Sequence, residues 1–288
     1  MNGTNERIEL ADAALEVTAG GTLTPGAPIL CAAHPAAAFG ESAVDLLRDS
    51  AGTSVVCVNP RGLGSSSPAP PTYTLDEMVD DVEGVRRRLG VDRWIFWGIS
   101  GGGWLGQIYA RKYPDALAGL ILESICPCFR ERLADPDCLL SPYHPSWRPA
   151  LEARGLIAAD SHASLGDPNA TEWIDVEGVG AVFRRRNGPA LLVSPMPVSA
   201  EMHRAMPVLW TADARGWLRE IRTPALVICG NSDPLVPLSH ARALHAAIPG
   251  SELMIVEGGG HSPVMARRPD LIAAVQSFVQ NRQPIPNA

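Results

Sequence analysis

The sequence predicts a doubly wound α/β fold: a mostly parallel sheet with helices on both faces, interrupted by a helical insertion. Three observations lead there. Six short apolar runs, at 28–33, 54–58, 94–97, 117–122, 225–229 and 252–256, are rich in Val, Ile, Leu and aromatic residues, and unbroken runs of that length mark strands buried on both faces. Amphipathic patterns at 42–49, 75–89, 104–113, 239–247 and 269–280 alternate with them, as crossover helices in a parallel sheet must. Over 124–217 the alternation stops, and Pro, Trp, His and charged residues follow one another without strand spacing. That block is expected to be a helical cap inserted into a core made of 1–123 and 218–288.

Taken in order, residues 7–20 are expected to form an antiparallel hairpin at the sheet edge. The strand at 28–33 runs into His34-Pro35-Ala36, and the strand at 54–58 into Asn59-Pro60-Arg61-Gly62-Leu63-Gly64, whose glycines suit a tight turn. Arg61 is expected to be structural. Cys31, Cys57 and Cys229 lie inside strand runs and are expected to pack as small hydrophobes. Cys126, Cys128 and Cys138 lack the second ligand pair of a zinc site. No metal or cofactor is expected.

Composition narrows the function. Of 288 residues, 46% are hydrophobic and 19% charged, and 31 acidic against 24 basic residues give a net charge of -7. Such a chain can bury a large core, and without a basic stripe it is not built to neutralise phosphates, so nucleic acid is not an expected partner. The first residues carry Glu6, Arg7, Glu9 and Asp12 and no apolar signal core, and no apolar run is long enough to span a bilayer. A cytoplasmic protein with a small-molecule substrate, away from membranes, is expected.

The run at 94–97 leads into Gly98-Ile99-Ser100-Gly101-Gly102 and then a helix. In that strand-turn-helix setting G-x-S-x-G exposes a serine at a strained turn, and the helix N-terminus offers N–H groups to a developing anion. G-x-G-x-x-G cannot be placed on GISGGG, so a dinucleotide loop is not indicated. The serine needs a base. His261, after Gly258-Gly259-Gly260, sits at the carboxyl end of the strand at 252–256, where an imidazole can take and return a proton near neutral pH. An orienting carboxylate comes from Asp233, in the loop after the strand at 225–229. The order Ser, Asp, His is that of α/β enzymes with a nucleophile elbow. Glu123, directly after the strand at 117–122, is the rival acid, but it begins the connection into the cap, whereas Pro234 and Pro237 stiffen the exit of Asp233. The oxyanion is assigned to the N–H groups of Gly101 and Ala36, since Pro35 has none.

On these motifs the chain resembles the α/β-hydrolase superfamily, most of all its prolyl-iminopeptidase and small-esterase branch. The resemblance runs over 28–123 and 218–275 and is carried by the His34 loop, the Asn59–Gly64 segment, Gly98-Ile99-Ser100-Gly101-Gly102, Asp233-Pro234-Leu235-Val236-Pro237 and Gly260-His261. Pro35 stands where relatives commonly have glycine, and Asn59 where they have aspartate. The resemblance implies an eight-stranded sheet with the cap after its sixth strand. A serine in place of an aspartate nucleophile speaks against the dehalogenase and epoxide-hydrolase branches.

The function expected is a serine hydrolase that cleaves a small carboxylic ester, lactone or thioester through an acyl-enzyme. Within the cap, Trp147, Met196, Met202 and Trp210 are the expected substrate contacts. Two other readings are an aminopeptidase, which would hold a substrate ammonium on cap carboxylates such as Asp160, Asp175 or Glu177, and a ligand-binding protein or receptor that keeps the fold.

Overall fold

The computed structural model describes residues 2–24, 26–157, 171–195 and 197–282. An eight-stranded sheet runs in the order β1-β2-β4-β3-β5-β6-β10-β11. Its first hairpin, β1 (Asn2–Glu9) and β2 (Ala14–Gly20), is antiparallel, and β2 pairs antiparallel with β4 (Ser54–Asn59). From there β3 (Ile29–Ala33), β5 (Trp94–Ile99), β6 (Leu117–Glu123), β10 (Ala225–Gly230) and β11 (Glu252–Val256) are all parallel. Each sequence-predicted strand and helix of the core is present within a few residues of its expected bounds.

Side-chain parity explains the unbroken apolar runs. Cys31, Val56, Phe96, Leu120 and Val227 point to one face and join a core with α2 (Leu75–Arg88), α3 (Gly102–Lys112) and α7 (Leu238–Ala247). Their neighbours Leu30, Val55, Ile95, Ile121 and Leu226 point the other way, onto α1 (Glu41–Ala51) and α8 (Pro269–Gln280). Both faces are covered there, so the central strands cannot alternate polar and apolar residues. Helix α2 starts on a capping box, with Glu77 N–H on Thr74 Oγ1 and Thr74 N–H on Glu77 Oε2, and it ends in Arg86, Arg87 and Arg88, cations at the negative end of its dipole.

Between β6 and β10 the chain is not simply helical. Alongside α4 (Phe129–Ala134), α5 (Arg148–Glu152) and α6 (Ala200–Trp210) stands a three-stranded antiparallel sheet, β7 (Thr171–Val176), β8 (Gly180–Arg185) and β9 (Ala190–Ser194). The expected all-helical cap is corrected accordingly. The local signals are turn residues: Gly178 and Gly180 (φ 76° and 110°) close the first hairpin, and Asn187 (φ 57°) with Gly188 closes the second. This segment is tied to the core by Leu139 N–H on Pro234 O (2.7 Å), Cys138 Sγ on Leu235 O (3.1 Å) and Arg204 Nη2 on Gly62 O (3.0 Å). No described helix is long and apolar enough to cross a membrane.

Arg61 is structural, as expected. Its guanidinium grips Asp81 through Nε and Nη2, each 2.8 Å from a carboxylate oxygen, and Tyr73 Oη donates to the same carboxylate at 2.6 Å. Asp81 is only 5% exposed. Removing the cation would leave a buried carboxylate without its charge partner, a loss of about 3–5 kcal/mol for such pairs. Arg61→Met should therefore lower the melting temperature by several degrees while leaving Ser100 reactive; thermal unfolding and active-site labelling measured side by side check this.

Candidate active site

Six parallel strands end at one edge of the sheet, and the candidate residues leave from four of those ends. Ser100 occupies the sharp turn between β5 and α3 with φ 51°, a left-handed conformation that costs energy for a serine and is held by Ser100 N–H on Glu123 O and Gly103 N–H on Ser100 O, both 2.8 Å. The turn closes so tightly that a Cβ on Gly98 would lie 2.6 Å from Gly102 O, and one on Gly102 would lie 2.4 Å from Ala33 O. Only glycine fits at either position.

His261 follows β11 on a loop fixed by Gly258 N–H on Asn231 Oδ1 (2.7 Å) and Ser232 N–H on Gly259 O (2.9 Å). Its Nε2 is 2.9 Å from Ser100 Oγ, and its Nδ1 is 2.9 Å and 3.1 Å from the two oxygens of Asp233. A carboxylate can only accept, so Nδ1 carries the proton and Nε2 accepts from the Ser100 hydroxyl. Burial opposes the charge on Asp233, whose side chain is fully covered. The His261 hydrogen bond and charge, with N–H donors from Leu235 (2.8 Å) and Val236 (3.0 Å), outweigh it and hold the carboxyl below its ordinary value.

Glu123 does not contact the imidazole. Its carboxyl is fully buried at the end of β6, where it accepts Trp97 Nε1–H and Val264 N–H, each at 3.0 Å. Next to it, Ser124 (φ 51°) donates its N–H to Ile228 O (2.9 Å) and accepts Ser262 N–H at Oγ (3.4 Å).

At the end of β3 the geometry departs from expectation. Ala36 N–H donates to His34 Nδ1 at 3.0 Å and so is already engaged within its own turn. The His34 ring therefore carries its own proton on Nε2, which lies 2.7 Å from where a Cβ on Gly101 would sit. Burial first and the neighbouring His261 second push His34 down to about 4, so it is neutral at pH 7. Beside this turn lies a cavity of about 250 Å³ between core and insertion, bounded by Pro35, Leu63, Tyr73, Met78, Ala205 and Val208.

A family profile described as the alpha/beta hydrolase fold matches residues 37–160 and 192–267. The chain belongs to the α/β-hydrolase fold family. Among curated relatives, a probable proline iminopeptidase of Leptolyngbya boryana is 27% identical over 265 residues, covering 79% of each chain. A pimeloyl-[acyl-carrier protein] methyl ester esterase of Serratia marcescens is 27% identical over 191 residues, 65% of this chain and 69% of that one. An alpha/beta fold family hydrolase from Bacillus anthracis superposes with a TM-score of 0.71 at 19% identity, covering 97% of this chain and 99% of its own.

In this hydrolase-fold protein the expected cap contacts divide. Trp210, 4% exposed, stands in α6 against Phe129 and Phe183, and Met202 on the same helix packs on the main core. Trp147 is elsewhere: its Nε1 donates to Leu139 O at 2.7 Å and its ring joins a separate small cluster with Leu151, Val176 and Val182. Met196 and Asp160 lie outside the described residues, and Asp175 and Glu177 are exposed on the β7–β8 hairpin. Sequence reasoning missed the part played by Trp97, Glu123 and Ser124. The one available signal is a glutamate ending an otherwise apolar strand, LAGLILE, where a buried carboxyl must find donors.

Burial raises the Glu123 carboxyl from 4.5 to about 7, against the Val264 and Trp97 donors. The folded protein thus keeps a proton between pH 4.5 and about 7 that the unfolded chain releases. Stability from this proton is complete below the lower value and is lost as pH rises through the upper one. Replacing the carboxyl by an uncharged side chain of similar size, Glu123→Met, should remove that slope. Denaturant unfolding at pH 4.5 and pH 8 is expected to shift the wild-type-to-variant difference by on the order of 3 kcal/mol in favour of the variant at the higher pH.

Proposed function

We propose that this α/β-hydrolase is a serine hydrolase acting on a small carboxylic ester, lactone or thioester through an acyl-enzyme. The observation that carries the reading is the unbroken hydrogen-bond chain from Ser100 Oγ through His261 to Asp233. Ser100 Oγ attacks the substrate carbonyl as His261 Nε2 takes its proton, and Asp233 stabilises the imidazolium that forms. His261 then returns the proton to the departing alcohol or thiol, leaving Ser100 acylated. A water, deprotonated by the same imidazole, attacks the acyl carbon, and the acid is released with Ser100 reprotonated.

The anion formed at each tetrahedral stage is stabilised by Gly101 N–H, at the start of α3, and by a donor of the 34–36 turn. Ala36 N–H serves there once it swings off His34 Nδ1; with the ring as it stands, His34 Nε2–H is the proton that faces Gly101. No cofactor enters this scheme. Trp210 and Met202 of α6 are the side chains we expect to border the acyl or alcohol group, in a protein we expect in the cytoplasm.

An aminopeptidase is the second reading, favoured by the similarity to proteins named proline iminopeptidase. Relative rates on esters, lactones, thioesters and aminoacyl arylamides separate the two. A binding protein would turn over none of them and would not react with a serine-directed phosphonate.

Ser100→Ala should abolish phosphonate labelling and lower kcat by about 10⁴ or more, since members of such a unit fail together. Labelling retained at another serine overturns the assignment. Asp233→Asn should reduce kcat by roughly 10⁴ through the wrong imidazole tautomer; steady-state kinetics on the best substrate of the panel gives the figure, and a loss under tenfold removes Asp233 from its role.

A further inference from the structure

We propose that Glu123 is a positioning residue, whose main chain fixes the nucleophile and whose carboxylate fixes the segment that carries the base. This rests on the assignment of Ser100 and His261 given above. Ser100 N–H donates to Glu123 O (2.8 Å), which anchors the strained elbow, and Val264 N–H donates to Glu123 Oε1 (3.0 Å), three residues after His261.

The second anchor acts beside the buried side chain of Val264 and the Arg267–Asp49 ion pair (3.5 Å). On the C-terminal side of His261 the chain turns through Ser262 with φ 61°, enters a short 3-10 turn at Pro263–Ala266, and leaves it through Arg267 with φ 47°. Two conformations of high cost enclose a four-residue turn, so outside contacts must hold it in place. Ser262 N–H reaches Ser124 Oγ only at 3.4 Å, whereas the Val264 contact is short and made to a buried group. The remaining oxygen of Glu123 is locked by Trp97 Nε1–H (3.0 Å), so the carboxylate cannot rotate away from Val264 without losing the indole.

Protonation weakens this clamp. A carboxylate offers both oxygens to two N–H donors, while a carboxylic acid has one oxygen bearing a hydrogen that needs an acceptor of its own. The ionisable groups facing the carboxyl are Asp233 in the loop after β10, whose negative charge disfavours a second one beside it, and the Cys229 thiol on β10. The ionised form costs more to bury and holds the His261 segment better. Protonation of Glu123 below neutrality therefore loosens the segment that carries His261.

The test uses the full chain and a serine-directed phosphonate. Glu123→Gln keeps one acceptor, and Glu123→Met fills the same space with none. Both should label more slowly, by roughly 10-fold for Gln and up to 100-fold for Met, with KM changed less than threefold where a substrate is in hand. Amide hydrogen exchange at Val264 should lose protection in Glu123→Met, a readout that does not depend on catalysis. In the unaltered protein the protection factor at Val264, corrected for the intrinsic pH dependence of exchange, should rise as pH climbs through about 7, and in Glu123→Met it should not.

Wild-type labelling rates in folded variants, unchanged exchange at Val264 in Glu123→Met, or a Val264 protection factor in the unaltered protein that does not rise through about pH 7 each overturn the proposal, the last even if neither variant folds. Labelling that survives Ser100→Ala instead removes the serine-hydrolase reading, while Val264 exchange still reports on the clamp.

Discussion

The dipeptide Glu123-Ser124 at the end of β6 is the constraint on which the site depends. Through main-chain atoms it holds Ser100 and Ile228, and through side chains it holds Val264 and Ser262. These partners belong to the turn after β5, the strand that precedes Asp233 and the loop after His261. Strand β6 lies between β5 and β10 in the sheet and pairs with both from Leu120 to Glu123, so the chain leaving its carboxyl end sits between the turns that follow those two neighbours. Parallel strands bring their carboxyl ends together as a matter of topology. Hydrogen bonds from one strand end then convert that proximity into distances of 2.9 Å.

Two buried carboxyl groups share this edge and differ in acidity because their donors differ. Asp233 has an imidazole and two main-chain N–H groups, enough to overcome burial and stay ionised. Glu123 has one main-chain N–H, one indole and a negative neighbour, and burial prevails. Environments that push two acids apart in this way assign different tasks to them. Asp233 is suited to stabilise an imidazolium, and Glu123 to hold chain segments while remaining close to its own titration.

The insertion between β6 and β10 is built around aromatic rings that join helix α6 to the three-stranded sheet. Phe129, Trp210, Phe183 and Trp173 form a continuous row of ring contacts with centroids 5.3–6.1 Å apart, from the start of the insertion into its sheet. Trp173 also stacks on His203 of α6, with ring centroids 5.1 Å apart. That row makes the insertion one packed body with the core near Trp210, while Trp147 serves a separate cluster and faces other neighbours.

By itself the sequence determined the core strands, the helices between them, the strained serine turn, and the order in which Ser100, Asp233 and His261 leave the sheet. These are local properties: strands buried on both faces read as apolar runs, and a crowded turn demands glycine where a Cβ would strike backbone. Only the tertiary structure decided that Glu123 holds Val264 and not His261, that Ala36 gives its N–H to His34, and that the insertion contains a sheet. Each depends on which distant donor meets which acceptor, or on pairing among short strands whose polar and apolar residues alternate irregularly. A hydrogen bond between residues 141 positions apart leaves no periodicity in the chain; it exists because β6 and the loop after β11 end at the same edge of one sheet.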